Sequence, residues 1–167
     1  MTIKAVLGLA ALIVVVALMG SCSGEPDDTG TTPRSAVVGS LPLGDLEITT
    51  DAGTVTYQVE VAEVPQARAR GLMFIDELPA GYGMVFLYEQ PTENGFWMKD
   101  TLIPLEIAFW DQSGEIVSLL RMEPCRQDPC PGYPPGSPYI GAVETADGAM
   151  TGSGVGVGAK VSFTRID

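Results

Sequence analysis

The side chains able to do chemistry gather in the middle of the chain: Arg68, then Trp97, Lys99, Asp100 and Thr101, with Glu106 just beyond. An indole beside an ammonium group suits recognition of a sugar, a peptide or a carboxylate, because the ring gives apolar contact while the positive head pairs with an anion. Alternation along Phe96-Trp97-Met98-Lys99 sends Phe96 and Met98 to one face and Trp97 and Lys99 to the other. If the first pair is core, the second borders a surface or cleft, and convergence of Arg68 with Lys99 would make a local anion site. The competing arrangement has Trp97 capping the core, Lys99 paired with Asp100 or Glu106, and the other cations in scattered salt bridges. Asp100 and Glu106, flanking Pro104, are the candidate acid and base of a hydrolase or lyase, although nothing in their spacing puts them in one cleft.

The rest of the composition narrows the chemistry. The chain has 167 residues, no histidine, and 9 basic against 21 acidic side chains, a formal charge of −12. Without histidine there is no Ser-His-Asp or Cys-His centre and no histidine-containing zinc site. No ordered Asp-x-Asp-x-Asp-Gly calcium loop occurs. The run Gly152 to Gly158 lacks the Gly-Lys-Ser/Thr ending of a phosphate loop, since Lys160 is followed by Val161, and reads as a tight loop before a last strand. No cofactor, no metal and no catalytic residue is assigned on these grounds. The acidic balance also argues against a nucleic-acid partner, which needs lysine and arginine to neutralise phosphates.

The start of the chain points to export. Lys4 precedes an apolar run, Ala5 to Met19, too short for the roughly 20 residues of a membrane span. A charged start, a short apolar stretch and small residues after it describe a secretory signal over residues 1–21. Cys22 after Leu18-Met19-Gly20-Ser21 resembles the lipobox of bacterial lipoproteins, with Met19 where Leu is usual. Two acyl chains on Cys22 would supply stable anchoring. Residues 22–43, rich in Ser, Thr, Gly, Pro and Asp, read as the lipidated cysteine and a flexible tether, with an irregular strand near Ala36 to Val38 as the alternative. The expected location is the cell envelope, on the outer face of the cytoplasmic membrane or the periplasmic side of an outer membrane.

Cys125 and Cys130 then remain, an even number for an oxidising compartment, inside a stretch from Pro124 to Pro138 that holds six of the 13 prolines. A disulfide fixing this irregular loop fits better than a redox pair, which is usually Cys-x-x-Cys, or a metal site, which needs two more soft ligands.

Residues 44–167 read as one β-rich domain. Leu46 and Ile48, the turn Asp51-Ala52-Gly53, and then Val55, Tyr57, Val59 and Val61 at period two predict a hairpin. Val64 to Arg70, with Pro65 near its start and Gly71 as a stop, predicts a two-turn helix. Gly83 to Tyr88, Phe96 to Lys99, Leu105 to Trp110, Glu115 to Met122, Tyr139 to Val143 and Lys160 to Thr164 read as further strands. The fold class is mainly β with one or two short helices, a small single-domain barrel or half-barrel.

Three blocks stand together in order: Arg68-Ala69-Arg70-Gly71-Leu72-Met73-Phe74, Gly83-Met84-Val85-Phe86, and Phe96-Trp97-Met98-Lys99-Asp100-Thr101-Leu102-Ile103-Pro104-Leu105-Glu106-Ile107-Ala108-Phe109. The chain from about Val55 to Phe163 resembles the bacterial and archaeal family called domain of unknown function 192, also UPF0127. Asp100 stands where that family usually has Asn, and Glu106 where Asp is common. The resemblance implies a small β-rich domain, often exported, and supplies no reaction. The expected function is therefore a lipid-anchored, non-catalytic module that binds a small ligand or an envelope protein through Arg68, Trp97, Lys99, Asp100 and Thr101. A histidine-free hydrolase or lyase and a structural envelope accessory are the alternatives.

Overall fold

The computed structural model describes residues 41–166. The leader over residues 1–21, Cys22 and nearly all of the tether expected over residues 22–43 lie outside the described residues, as does the alternative strand near Ala36. The domain starts at β1 (Leu43–Thr50), which turns back into β2 (Gly53–Ala62), and continues through α1 (Pro65–Arg70), β3 (Tyr82–Thr92), β4 (Phe96–Trp97) and β5 (Leu105–Trp110). β6 (Ile116–Met122), β7 (Gly132–Tyr133), β8 (Tyr139–Ala146), a 3-10 turn at Thr151–Ser153 and β9 (Lys160–Ile166) complete it.

Seven strands form one sheet in the order β6-β5-β8-β3-β2-β1-β9. The sheet is open, yet it curls until its two edges touch at one end. There the Ile116 amide donates to the Ala159 carbonyl at 2.9 Å and the Val161 amide to the Gly114 carbonyl at 2.7 Å. Lys160 pairs with Glu115 at 3.0 Å at the same point. The fold is thus mainly β, a half-barrel whose edge strands meet over a single turn. Alternation gives each face its own core. Leu46, Ile48, Tyr57, Val59, Val61, Val85, Ala108 and Val143 fill the first face, which also receives Met150 and Val155 from the loop around the 3-10 turn. Ala62, Met84, Phe86, Leu105, Ile107, Phe109, Met122 and Ala142 line the second.

β2 and β3 run parallel, with Val59 opposite Gly83 and Val61 opposite Val85. Parallel neighbours cannot be joined by a tight turn, so the chain must cross over one face. Residues 63–81 make that crossing and carry α1 over the second face, where Leu72 and Leu78 bury themselves. Pro65 presets the first helical turn. Gly71 ends the helix at φ 49° and ψ −139°, a backbone state that a side chain disfavours.

The strand expected over Phe96 to Lys99 is shorter than its alternation suggests. Only Phe96 and Trp97 pair in a ladder, with Tyr133 and Gly132 of β7, an element the proline content concealed. Proline lacks the N–H a ladder needs, and Gly132-Tyr133 is the gap between Pro131 and Pro134 that still offers donors. Asp100, at φ 55°, then turns the chain away. Cys125 and Cys130 form the expected disulfide. β8 runs to Ala146, three residues past the expected end, and so places Glu144 inside the sheet.

Candidate functional site

The floor of the site is aromatic. Phe96 packs edge-on against Phe86 and Phe109, with centroids 4.8 and 5.5 Å away, and Tyr139 meets Phe109 at 4.8 Å. Such contacts add about 0.5–1.5 kcal/mol per pair beyond burial, so the base of the site is held rigidly. Met98 is buried with them, and Trp97, next in the alternation, is left 54 % exposed.

Above this floor lies a narrow cleft between the end of α1 and the β4 loop. Arg68, Arg70, Gly71, Trp97, Thr101 and Glu144 are the residues on its walls that bear on chemistry. Its free volume is about 20 Å³, room for one water or a group of that size. Two loops frame it, and each carries a non-glycine residue with positive φ, Phe74 at 64° and Asp100 at 55°. The Phe74 amide donates to the Asp100 carbonyl at 2.9 Å, joining the two strained points. Backbone held this way costs on the order of 1–2 kcal/mol per residue. Phe74 is also 66 % exposed, and Leu102, two residues past Asp100 in the chain, is exposed as well, so the strained frame presents apolar surface instead of hiding it.

Glu144 is the chemically notable wall. Its neighbours across the sheet are Met84 on β3 and Ile107 on β5, so its carboxyl points to the same face as these apolar side chains. Glu144 is 4 % exposed, and among the described residues no hydrogen bond or ion pair reaches its carboxyl. Burial alone pushes its carboxyl up to about 8. The opening above it exists because Gly71 has no side chain. A Cβ there would stand 3.9 Å from Glu144 Oε2 and 3.7 Å from the Phe86 ring. Thr101, equally buried at 4 %, makes one long 3.4 Å hydrogen bond to the Lys99 carbonyl.

Of the five residues expected to bind, the cleft brings together Arg68, Trp97 and Thr101. Arg68 lines it, but its guanidinium donates to the carbonyls of Glu63 and Leu87 and lies over the Tyr88 ring, 4.8 Å from the centroid. Lys99 and Asp100 are absent from the cleft walls. Lys99 reaches Asp128 at 2.5 Å, an acid inside the disulfide loop, in place of Asp100 or Glu106. That partner holds the Lys99 ammonium above its ordinary pKa.

The candidate acid and base do not meet. Glu106 lies on the first face with Ala108, two residues along β5, whereas Asp100 belongs to the loop over the second. Glu106 accepts from the amides of Met150 (2.8 Å) and Thr151 (3.2 Å) and from the Thr151 hydroxyl (2.5 Å), which anchors the turn closing the first core. Among the described residues no three metal-ligating side chains converge.

Glu144 and Arg70 escaped the sequence reading as site residues. Ala142-Val143-Glu144-Thr145-Ala146 does hold a signal, a carboxylate at an inward-facing position between two alanines. Ending the strand at Val143 removed Glu144 from that pattern.

The comparisons agree with this architecture. The DUF192 family, described as Uncharacterized ACR, COG1430, matches residues 47–163, well over half the chain. This protein belongs to the DUF192 family. Within that span lie all the cleft residues of this DUF192 domain. A protein of unknown function from Novosphingobium aromaticivorans DSM 12444 superposes with a TM-score of 0.70 at 28 % identity, covering 75 % of this chain and 88 % of its own. A structure described as a "putative transcription regulator" from Sinorhizobium meliloti 1021 gives a TM-score of 0.68 at 24 % identity, over 74 % and 95 %, a likeness of fold alone. No curated protein matches the chain.

Proposed function

We propose that this DUF192 domain is a non-catalytic binding module, held at the cell envelope through an acylated Cys22, whose ligand or partner inserts a small polar end into the Glu144 cleft and rests its apolar part on Trp97. The observation that carries the reading is a buried carboxyl and a buried hydroxyl, both facing an opening, beneath an indole that the core leaves uncovered. The buried Glu144 carboxyl, without a partner, costs free energy in the empty protein, the Thr101 hydroxyl has only its long bond to the Lys99 carbonyl, and a ligand that hydrogen-bonds the carboxyl recovers that cost. Exposed Trp97 and Phe74 beside such a pocket supply the rigid apolar area that recognition favours. Four described basic residues, Lys99, Arg121, Lys160 and Arg165, already pair with acids, leaving little positive surface for phosphate backbones.

Trp97→Ala tests the reading. Removing a half-exposed ring should leave the melting temperature within about 2 °C while abolishing the thermal shift given by any compound that stabilises the wild type. A large fall in melting temperature with ligand response intact would refute it. Attachment is tested separately by metabolic labelling of the full chain with radioactive palmitate, which Cys22→Ser should eliminate.

A further inference from the structure

The cleft fits one ligand chemistry better than others. Its walls offer a buried carboxyl, a buried hydroxyl and, at the rim, arginines instead of acids. The Arg70 guanidinium has no ion-pair or hydrogen-bond partner among the described residues, unlike that of Arg68, which is taken up by carbonyls and Tyr88. Free volume for a single small group means that a sugar ring or an aromatic head stays outside and only a terminus enters. We propose that this terminus is a carboxylate: one oxygen accepts a hydrogen bond from the Glu144 carboxyl, the Thr101 hydroxyl supports it, Arg70 supplies the counter-charge, and the ligand's apolar body lies on Trp97. The inference rests on the binding-module reading and names the ligand class for the same cleft.

Two buried carboxyls face to face bind only if one of them keeps its proton. Glu144 meets that condition at neutral pH, because burial pushes it up to about 8. The groups packed around it are Met84 from β3, Ile107 from β5, Arg68 and Arg70 from α1, and Thr101 from the β4 loop, with Glu60 of β2 one strand beyond Met84 on the same face. Among the residues lining the cleft Glu144 is the one acid. An ammonium ligand is the opposite case. It would draw the proton off Glu144 and would meet the arginines as like charges.

The test compares phenylacetate, phenylacetamide and phenethylamine, and a tripeptide with a free C-terminus against its amidated twin, by calorimetry and by Trp97 emission. Phenylacetate or the free-acid tripeptide should bind, the neutral forms at least tenfold more weakly. A free organic acid as the natural source favours the former probe, a chain terminus the latter. The affinity should fall about thirtyfold from pH 6 to pH 9.5 as Glu144 ionises. Glu144→Gln, which keeps an N–H donor in the same space, should retain binding and flatten the pH profile, while Arg70→Gln should weaken it several-fold in a salt-dependent way. Equal affinity for acid and amide, or tighter binding of phenethylamine with rising pH, overturns the carboxylate assignment and leaves the binding-module reading in place. No response to any of the five probes overturns the assignment as well, and the pH profile of the wild type decides the matter even if a variant fails to fold.

Discussion

Glu144 makes a definite demand on stability. Its carboxyl is moved by burial from 4.5 to about 8 in the folded chain, while in the unfolded chain it keeps its ordinary value. Between those two values the native state holds a proton that the unfolded state has released, so the contribution is intact below pH 4.5 and lost progressively as pH rises through 8. At 1.36 kcal/mol per unit, the fold loses about 3 kcal/mol by pH 7 and about 5 kcal/mol by pH 9 through this one group. Glu144→Gln keeps the shape of the protonated acid and cannot ionise, so it removes that slope. Urea unfolding of both proteins, followed by circular dichroism from pH 4 to pH 9 with the disulfide intact, isolates the effect. Every other titrating group, including buried Glu60 and the ion pair of Glu63 with Arg165, is common to both and cancels in the difference. The curves should coincide near pH 4 and diverge until the variant is about 3 kcal/mol more stable at pH 7. Parallel curves, with a difference independent of pH, would refute a proton held at Glu144 and with it the donor role in the cleft.

Three further outcomes follow from the packing. Glu106→Ala strands the buried Met150 amide and the partly buried Thr151 amide and should cost about 3 kcal/mol in urea unfolding, with Glu106→Gln costing less; an unchanged midpoint would mean the turn is not anchored there. Gly141→Ala drives a Cβ to within 2.2 Å of the Trp110 ring, so near-ultraviolet dichroism from that indole should change and stability should drop by about 1–3 kcal/mol. Cys130→Ser opens the loop carrying Asp128 and should lower stability by about 2 kcal/mol, an effect that reductant should reproduce in the wild type.

Much of this protein is written in local pattern. Period two along Val55, Tyr57, Val59 and Val61 can place one side of a strand in a core only if the chain is extended, and Asp51-Ala52-Gly53 permits the reversal, so the β1-β2 hairpin needed no tertiary knowledge. Pro65 and Gly71 bound α1 for equally local reasons, and the cysteines were paired by parity and spacing. The cleft was legible only in part. Trp97 beside Phe96 and Met98 could be placed at a surface by alternation, but the partner of Lys99 could not, because Asp128 lies 29 residues away and reaches it through the disulfide loop. Strand order likewise decided that Glu144 stands in a row with Met84 and Ile107, and the crossover from β2 to β3 decided that Gly71 lies over it. The sequence by itself determined the β1-β2 hairpin, α1, the core strands and which of their faces are apolar, since those follow from side-chain period and backbone preference, whereas β7 and the ends of β4 and β8 depended on what pairs with them. Only the tertiary structure decided that a carboxyl on an inward face would be left without a partner under an opening, because desolvation is a property of everything packed around a group and not of the group's own neighbours in the chain.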